Sequence, residues 1–310
     1  MNDQVLDAAA TAALLPYPAL ADEIARLLGD ASVQVPPRLV QPLAGGASLF
    51  VMPAADARLA MTKLITFTPA NAGSGRPTIE GDVVVFDVAS GKRRLLLHGP
   101  TVTARRTAAV SLLAARHLAA HPAGPLLIVG AGVQGLAHLE AYAQGLGVHR
   151  VFIASRSAAS AARLVQHAQV MGLHAESVPD ANALLPHCPL VVSCTPASGV
   201  VLHALPRPDA LLVAVGAFTP AMVELAPALC RHLDSHGHIV LDTADAVHEA
   251  GDLLQAGLDV SGYPVLADVL RQGRSAPQAG ATGPVLFKSC GWAGWDLAAA
   301  RLAMQRQPAA

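Results

Sequence analysis

Gly130-Ala131-Gly132-Val133-Gln134-Gly135 follows directly on the apolar run Leu126-Leu127-Ile128-Val129, and Leu136–Leu146 continues as a helix. A glycine loop between a strand and a helix is suited to phosphate. The first glycine permits the tight turn, the second lets the main chain approach a pyrophosphate, and the third allows close helix–strand contact, while the helix N-terminus offers free N–H groups and the positive end of its dipole. The spacing alone is a weak signal. Here the strand before it, the helix after it and the next strand at Val151–Ala154 supply the context that spacing lacks. About 20 residues beyond such a fingerprint, chains that bind NAD usually place a carboxylate on the adenosine ribose. This sequence has Ser155-Arg156-Ser157. A guanidinium can pair with a 2′-phosphate, aided by two small hydroxyls, where a carboxylate would repel it. The expected cofactor is therefore NADP, with NAD as the alternative, and the blander reading of Arg156 is a solvated loop arginine.

A second set of residues is basic. Arg105 and Arg106 stand near the start of an expected helix, Thr101–Ala120, where positive charge opposes the helix dipole and implies a nearby anion. Lys63 lies within the apolar run Leu59-Ala60-Met61-Thr62-Lys63-Leu64-Ile65 and needs a partner if its head is buried. Arg38 follows Pro36-Pro37. On physical grounds alone each reads more readily as a surface residue than as a ligand. Cys230, His232, Asp234, His236 and His238 are rich in metal-ligating types but lack a recognised zinc spacing, so no metal is expected. Neither a GxSxG nucleophile elbow nor an HExxH pair occurs.

These residues must be held by ordered elements, and the chain is long enough, at 310 residues, for two domains. The first thirty residues read as helical, with Leu15, Ala19, Ile24, Leu27 and Leu28 as an apolar stripe. Val33–Leu43, Leu49–Met52, Leu59–Phe67, Val83–Val88 and Arg94–Leu97 predict a mainly antiparallel sheet. After His121-Pro122 and Gly124-Pro125 the texture changes. Short apolar strands at Leu126–Val129, Val151–Ala154, His174–Val178, Leu190–Cys194, Leu211–Val215 and Ile239–Leu241 alternate with helices and predict a doubly wound parallel sheet of six strands. The tail holds a strand at Val285–Lys288 and a helix at Ala293–Gln305.

Hydrophobic residues make up 53% of the chain and charged ones 14%, yet the apolar residues come in short bursts broken by Gly and Pro, as in buried parallel strands and unlike a membrane span. Residues 1–4 lack the basic and apolar regions of a secretory signal, so a cytoplasmic protein is expected. The four cysteines are widely spaced, which argues against a disulfide framework. A formal net charge of −1 gives no electrostatic case for nucleic acid.

Taken together, the chain resembles the ornithine cyclodeaminase/mu-crystallin family from about Arg38 to the C-terminus. The matching stretches are Val51-Met52-Pro53-Ala54, Thr62-Lys63-Leu64 with Pro69-Ala70-Asn71, Thr103-Ala104-Arg105-Arg106-Thr107, the glycine loop, Val215-Gly216-Ala217 through Pro220 to Glu224-Leu225, Asp242 with Glu249-Ala250-Gly251-Asp252, and Phe287-Lys288-Ser289-Cys290-Gly291 leading to Asp296. The resemblance implies an α/β fold, a Rossmann-type domain (residues 121–292) joined to a smaller α/β substrate-binding and dimerisation domain (residues 1–120 plus 293–310), and a homodimer. It further implies that Arg38, Lys63 and Arg106 hold a substrate carboxylate, reversing the reading above. Thr78, Val133, Gln134, Thr195, Gly216 and Ser289 would line the cofactor, with Cys290 near the substrate.

Departures from the family pattern select a branch. Cyclodeaminases of this family carry an Asp two residues after the Gly of the Val-Gly motif and a Glu just ahead of the Met-Pro motif, and here those positions are Phe218 and Phe50. Aromatic rings cannot relay protons or pair with a second amine, so a cyclic substrate without a side-chain ammonium fits better. The resemblance then points to the ketimine-reductase branch: NADPH-dependent reduction of Δ1-pyrroline-2-carboxylate or Δ1-piperideine-2-carboxylate to L-proline or L-pipecolate. Asp296 is a candidate proton donor or a structural carboxylate. The alternatives are ornithine cyclodeaminase or alanine dehydrogenase-like activity and, from another class, a non-catalytic NADP-dependent binding protein of mu-crystallin type.

Overall fold

The computed structural model describes residues 4–71, 74–196, 198–271 and 283–307, and it divides into two compact units, Met1–Arg106 with Trp292–Ala310, and Thr107–Gly291. The division falls inside a helix, ahead of the His121–Pro125 turn from which the sequence sets the boundary.

The first unit begins with β1 (Gln4–Val5), α1 (Ala8–Leu14) and α2 (Tyr17–Leu28). The expected helical segment is therefore two helices, because Pro16 disfavours helical dihedrals at Leu15, which adopts φ −120° and ψ 57°. Leu15, Leu20, Ile24 and Leu27 are nevertheless all buried. There follow β2 (Leu39–Pro42), β3 (Ser48–Ala55), β4 (Leu59–Phe67), β5 (Ile79–Asp87), β6 (Arg93–His98) and α3 (Gly99–Leu118). The sheet order is β1-β6-β5-β4-β3-β2, antiparallel except for the β1–β6 pair. The strand expected over Val33–Leu43 is shorter, since Pro36 and Pro37 have no N–H to give a ladder; before them only Gln34 bridges, to Ala55. The C-terminal helix, Ala293–Arg306, packs on α2, β3 and β4. It is pinned there by Arg301, whose guanidinium reaches Asp56 at 2.5 Å, Asp30 at 2.6 Å and Glu23 at 3.8 Å.

The second unit alternates β7 (Leu126–Val129), α4 (Val133–Leu146), β8 (Arg150–Ala154), α5 (Ala158–Val170), β9 (His174–Val178), α6 (Ala181–Leu184) and β10 (Leu190–Ser193). It continues through β11 (Ser198–Leu202), β12 (Leu211–Ala214), β13 (Val223–Leu225), α7 (Pro227–His236), β14 (His238–Leu241), α8 (Gly251–Gln255), α9 (Leu266–Arg271) and β15 (Val285–Lys288). Seven of these strands form a wholly parallel sheet in the order β14-β15-β12-β10-β7-β8-β9. The doubly wound sheet of the sequence reading is thus present with one more strand, because β15 inserts between β12 and β14. A separate parallel pair, β11–β13, has no counterpart in the sequence reading.

His138 joins α3 to α4 within this unit. Its Nδ1 lies 2.8 Å from the Gln134 carbonyl and its Nε2 2.9 Å from the Ser111 hydroxyl, so the neutral ring donates through Nδ1 and accepts through Nε2. Burial lowers its pKa from 6.5 to about 4, against a smaller opposing effect of the Gln134 bond. Between those values the unfolded chain binds a proton that the native ring refuses, so stability falls as pH drops through that window. The expected loss is about 3 kcal/mol. Urea unfolding at pH 7 and pH 4.5 checks this, and H138Q should flatten the pH dependence; an equally steep dependence in the variant would assign the effect elsewhere.

Candidate active site

The glycine loop opens at the C-terminal end of β7, in the position the sequence context requires. Gly130 sits at φ 113°, a left-handed conformation that L side chains rarely adopt. A Cβ on Gly135 would lie 2.0 Å from the Gly130 carbonyl oxygen, whereas a Cβ on Gly132 would meet no protein atom within 4 Å. The first and third glycines therefore serve the chain's own packing. The second faces open space and leaves room for something to approach the backbone.

That space is a cavity of about 450 Å³. It is lined by Gly130, Ala131, Gly132, Ser155, Arg156, Ser157 and Thr195, all anticipated from sequence, and by Ser160, Pro179, Asp180, Ala181, Asn182, Cys194, Pro196 and Val201. Asp180 and Asn182 were missed by sequence reading; they follow β9, and the rule that open parallel sheets bind beyond their strand C-termini was the signal available. Arg156 is exposed in the cavity wall. Ser157 accepts a hydrogen bond from the Ser160 N–H and so caps α5, while Ser155 accepts one from the Ser157 N–H. Val133 and Gln134 occupy the first turn of α4. Cys194 donates to the Gly130 carbonyl at 3.2 Å, and burial raises its pKa far above the usual thiol range.

Beside this cavity the ends of β10, β12 and β15 are held by buried acids. Glu224 Oε1 accepts from the Ser193 hydroxyl (2.6 Å), the Thr195 N–H (2.8 Å) and the Thr195 hydroxyl (3.1 Å). Its Oε2 accepts from the Gly216 and Ala217 N–H groups at 2.7 and 3.1 Å. Asp252 accepts from the Glu224 and Leu225 N–H groups and pairs with Lys288 at 2.7 Å, both side chains fully buried. Burial works against the Lys288 charge, but Asp252, Cys290 and Glu224 together raise its pKa. Lys288 also donates to the Ala217 carbonyl at 2.6 Å. Asp242 accepts from the Ser289 hydroxyl and from the Cys290 and Gly291 N–H groups. Thr195 and Gly216 are thus fixed by Glu224 and Ser289 by Asp242, while Asp252 holds the backbone of Glu224. Cys290 is buried and burial pushes its thiol up, so it stays protonated at neutral pH. Phe218 is half-buried and packs against the core of this unit.

The basic residues lie in the first unit. Lys63, at the middle of β4, is 1% exposed and its Nζ is 2.8 Å from Asp296 Oδ2. Arg106, in α3, is 7% exposed, with Nε 3.4 Å from Asp296 Oδ1. Burial lowers the Lys63 pKa, Asp296 raises it, and the positive charges of Arg106 and Arg38 lower it again, leaving it at about 8. Arg38, half-buried ahead of β2, is therefore close enough to act on Lys63. Phe50 is half-buried on β3, in register with Ile65 of β4 and Val40 of β2. Thr78 stands immediately before β5, where its carbonyl accepts from the Thr68 N–H. Arg105 points elsewhere: its guanidinium covers the Tyr17 ring at 4.4 Å and donates to the Leu15 carbonyl. In the histidine-rich segment the His232 and His236 rings stack at 4.7 Å and Asp234 accepts from the Tyr263 hydroxyl. Among the described residues there is no group of three His, Cys, Asp or Glu arranged to hold a metal, and no helix is long and apolar enough to cross a membrane.

A parallel sheet with a glycine loop whose middle residue faces an open cavity defines the dinucleotide-binding class of α/β proteins. Residues 9–309 match the model of the ornithine cyclodeaminase/mu-crystallin family, and the chain belongs to that family. It is 41% identical over 307 residues to Delta(1)-pyrroline-2-carboxylate reductase 1 of Burkholderia multivorans, covering 96% of this chain and 94% of that protein. Over 309 residues it is 39% identical to the Delta(1)-pyrroline-2-carboxylate/Delta(1)-piperideine-2-carboxylate reductase of Azospirillum brasilense, with the same coverage. Its fold matches that of Thermococcus litoralis Delta(1)-pyrroline-2-carboxylate reductase, solved with NADH and L-proline, with a TM-score of 0.83 at 20% identity over 97% of this chain and 93% of that one.

Proposed function

We propose that this protein is an NAD(P)H-dependent oxidoreductase of CH–NH bonds that reduces Δ1-pyrroline-2-carboxylate and Δ1-piperideine-2-carboxylate to L-proline and L-pipecolate. The observation that carries this reading is the buried cluster of Lys63, Arg106 and Asp296, two cations on one carboxylate, whose excess positive charge calls for an anion. The names of the relatives give that anion its class, a cyclic imino acid.

In this reading the second unit holds the dinucleotide, with its pyrophosphate against Gly130, Ala131 and Gly132 and the start of α4, and Arg156 with Ser155 and Ser157 at the adenosine ribose. NADPH is the expected form, because an exposed guanidinium and no carboxylate follows β8. When bound, the nicotinamide supplies a hydride. Thr195, Gly216 and Ser289 would flank it, kept in place by Glu224 and Asp242.

Arg38, Lys63 and Arg106 bind the substrate carboxylate. Holding the carboxylate fixes the position of C2 of the ring, and a proton taken up on the ring nitrogen beforehand would make that carbon the better hydride acceptor, the C=N electron pair then resting on nitrogen. Phe50 and Phe218 offer no carboxylate for a second amine, which favours the cyclic imine over ornithine. Incubation with NADPH and either cyclic imine, followed by chiral chromatography, should yield the L-amino acid. The absence of both products would overturn the reading.

The same proposal includes a homodimer through the first unit. β2 is an edge strand exposed along its whole length, with Leu39 55% and Val40 46% exposed, and Leu43 and Leu64 add to the apolar surface near it. Light scattering should give twice the 31.7 kDa chain mass. Leu39→Lys with Val40→Glu should shift the mass to one chain, and a wild-type monomer would contradict the assignment.

A further inference from the structure

We propose that Asp296 is the positioning residue of the carboxylate site: a single buried carboxylate, turning one oxygen to Lys63 and the other to Arg106, sets both cations in place to receive the substrate carboxylate. The inference rests on the reading of that site given above.

Three observations carry it. Asp296 is fully buried, and its two oxygens are divided between the two cations, Oδ2 at 2.8 Å from Lys63 Nζ and Oδ1 at 3.4 Å from Arg106 Nε. Those cations come from β4 and α3 and the carboxylate from the C-terminal helix, so one side chain ties three elements. The helix itself is anchored through Arg301 to Asp30 and Asp56, which fixes the height of the carboxylate. Lysine and arginine are long and would otherwise run toward water. Held by Asp296 at Lys63 Nζ and Arg106 Nε, they meet a ligand without losing that freedom on binding.

Charge points the same way. Lys63 and Arg106 contribute two positive charges against the one carboxylate of Asp296, so the cluster is anchored but not neutralised. An incoming carboxylate supplies the missing charge. Asp296 in the first turn of its helix also sits favourably with the helix dipole. With both oxygens turned to cations, Asp296 is not the proton donor that its sequence position also allowed.

The groups that face Lys63 are Asp296, Arg106 and Arg38, and among them Asp296 alone favours its charge. Removing that carboxylate lowers the Lys63 pKa below its native value of about 8. The test is calorimetric binding of pyrrole-2-carboxylate, which carries the carboxylate but no reducible imine, between pH 6 and pH 10. Wild-type affinity should fall as pH rises through about 8. In D296N the same fall should come at least about one pH unit lower, or binding should be lost throughout while NADPH affinity stays within about twofold. An unchanged midpoint and affinity would overturn the proposal.

D296E covers the case in which D296N does not fold. It keeps the charge, so the midpoint should stay near 8 while the longer arm displaces the cations and weakens binding about tenfold; unchanged affinity would again overturn the proposal. Imine turnover by the wild type, measured in parallel, separates failure of this inference from failure of the proposed activity, since anion binding is read without chemistry.

Discussion

Replacing Arg106 with glutamine is expected to lower kcat/KM for Δ1-piperideine-2-carboxylate by about 10²- to 10³-fold, since removing one partner of a buried charge pair costs about 3–4 kcal/mol. Arg106 is almost wholly buried, and its Nε is in ion-pair range of Asp296 without a good hydrogen bond, among the described residues. Its loss leaves the Lys63–Asp296 pair intact at 2.8 Å, so the fold keeps its internal compensation and the damage falls on the ligand. NADPH affinity should not change. The neighbouring Arg105 is the control: it stacks on Tyr17 and donates to Leu15, so Arg105→Gln should lower stability by about 1 kcal/mol and leave kcat/KM nearly alone. Equal kinetic losses in the two variants would contradict the assignment of Arg106.

Arg156→Asp is expected to weaken NADPH by about 10²-fold or more and NADH by no more than a few-fold. A charge-assisted hydrogen bond contributes roughly 1.5–3 kcal/mol, and the substitution adds repulsion to its loss. The guanidinium is exposed at the cavity rim, so part of the effect is screened and the selectivity should shrink as salt rises. Ser157 is a poorer probe, because its hydroxyl caps α5 and its removal would disturb the helix as well. Fluorescence titration with both cofactors reads the difference. Equal weakening would leave Arg156 without a 2′-phosphate role.

The parts of the molecule legible in the sequence are those written in contiguous residues. Gly130–Gly135 between β7 and α4 carries its whole meaning in one stretch, and the strand periods fix the doubly wound sheet. The place of β15 was not legible, because its apolar run says that it is buried but not between which strands. Glu224, Asp242 and Asp252 stand out in the sequence only as parts of family motifs, since single acids far apart in sequence show no shared task until the loops they bind are seen together. Lys63 signalled a partner through its apolar surroundings. Its partner, more than two hundred residues away on the last helix, could only come from the fold.

The central claim is tested most directly by initial rates of NADPH oxidation with Δ1-pyrroline-2-carboxylate, Δ1-piperideine-2-carboxylate and pyruvate plus ammonia, with ornithine and NAD+ run in the opposite sense. Turnover of the cyclic imines well above the other substrates is the predicted result. Faster turnover of pyruvate with ammonia, cyclisation of ornithine, or no reduction of either imine would contradict it.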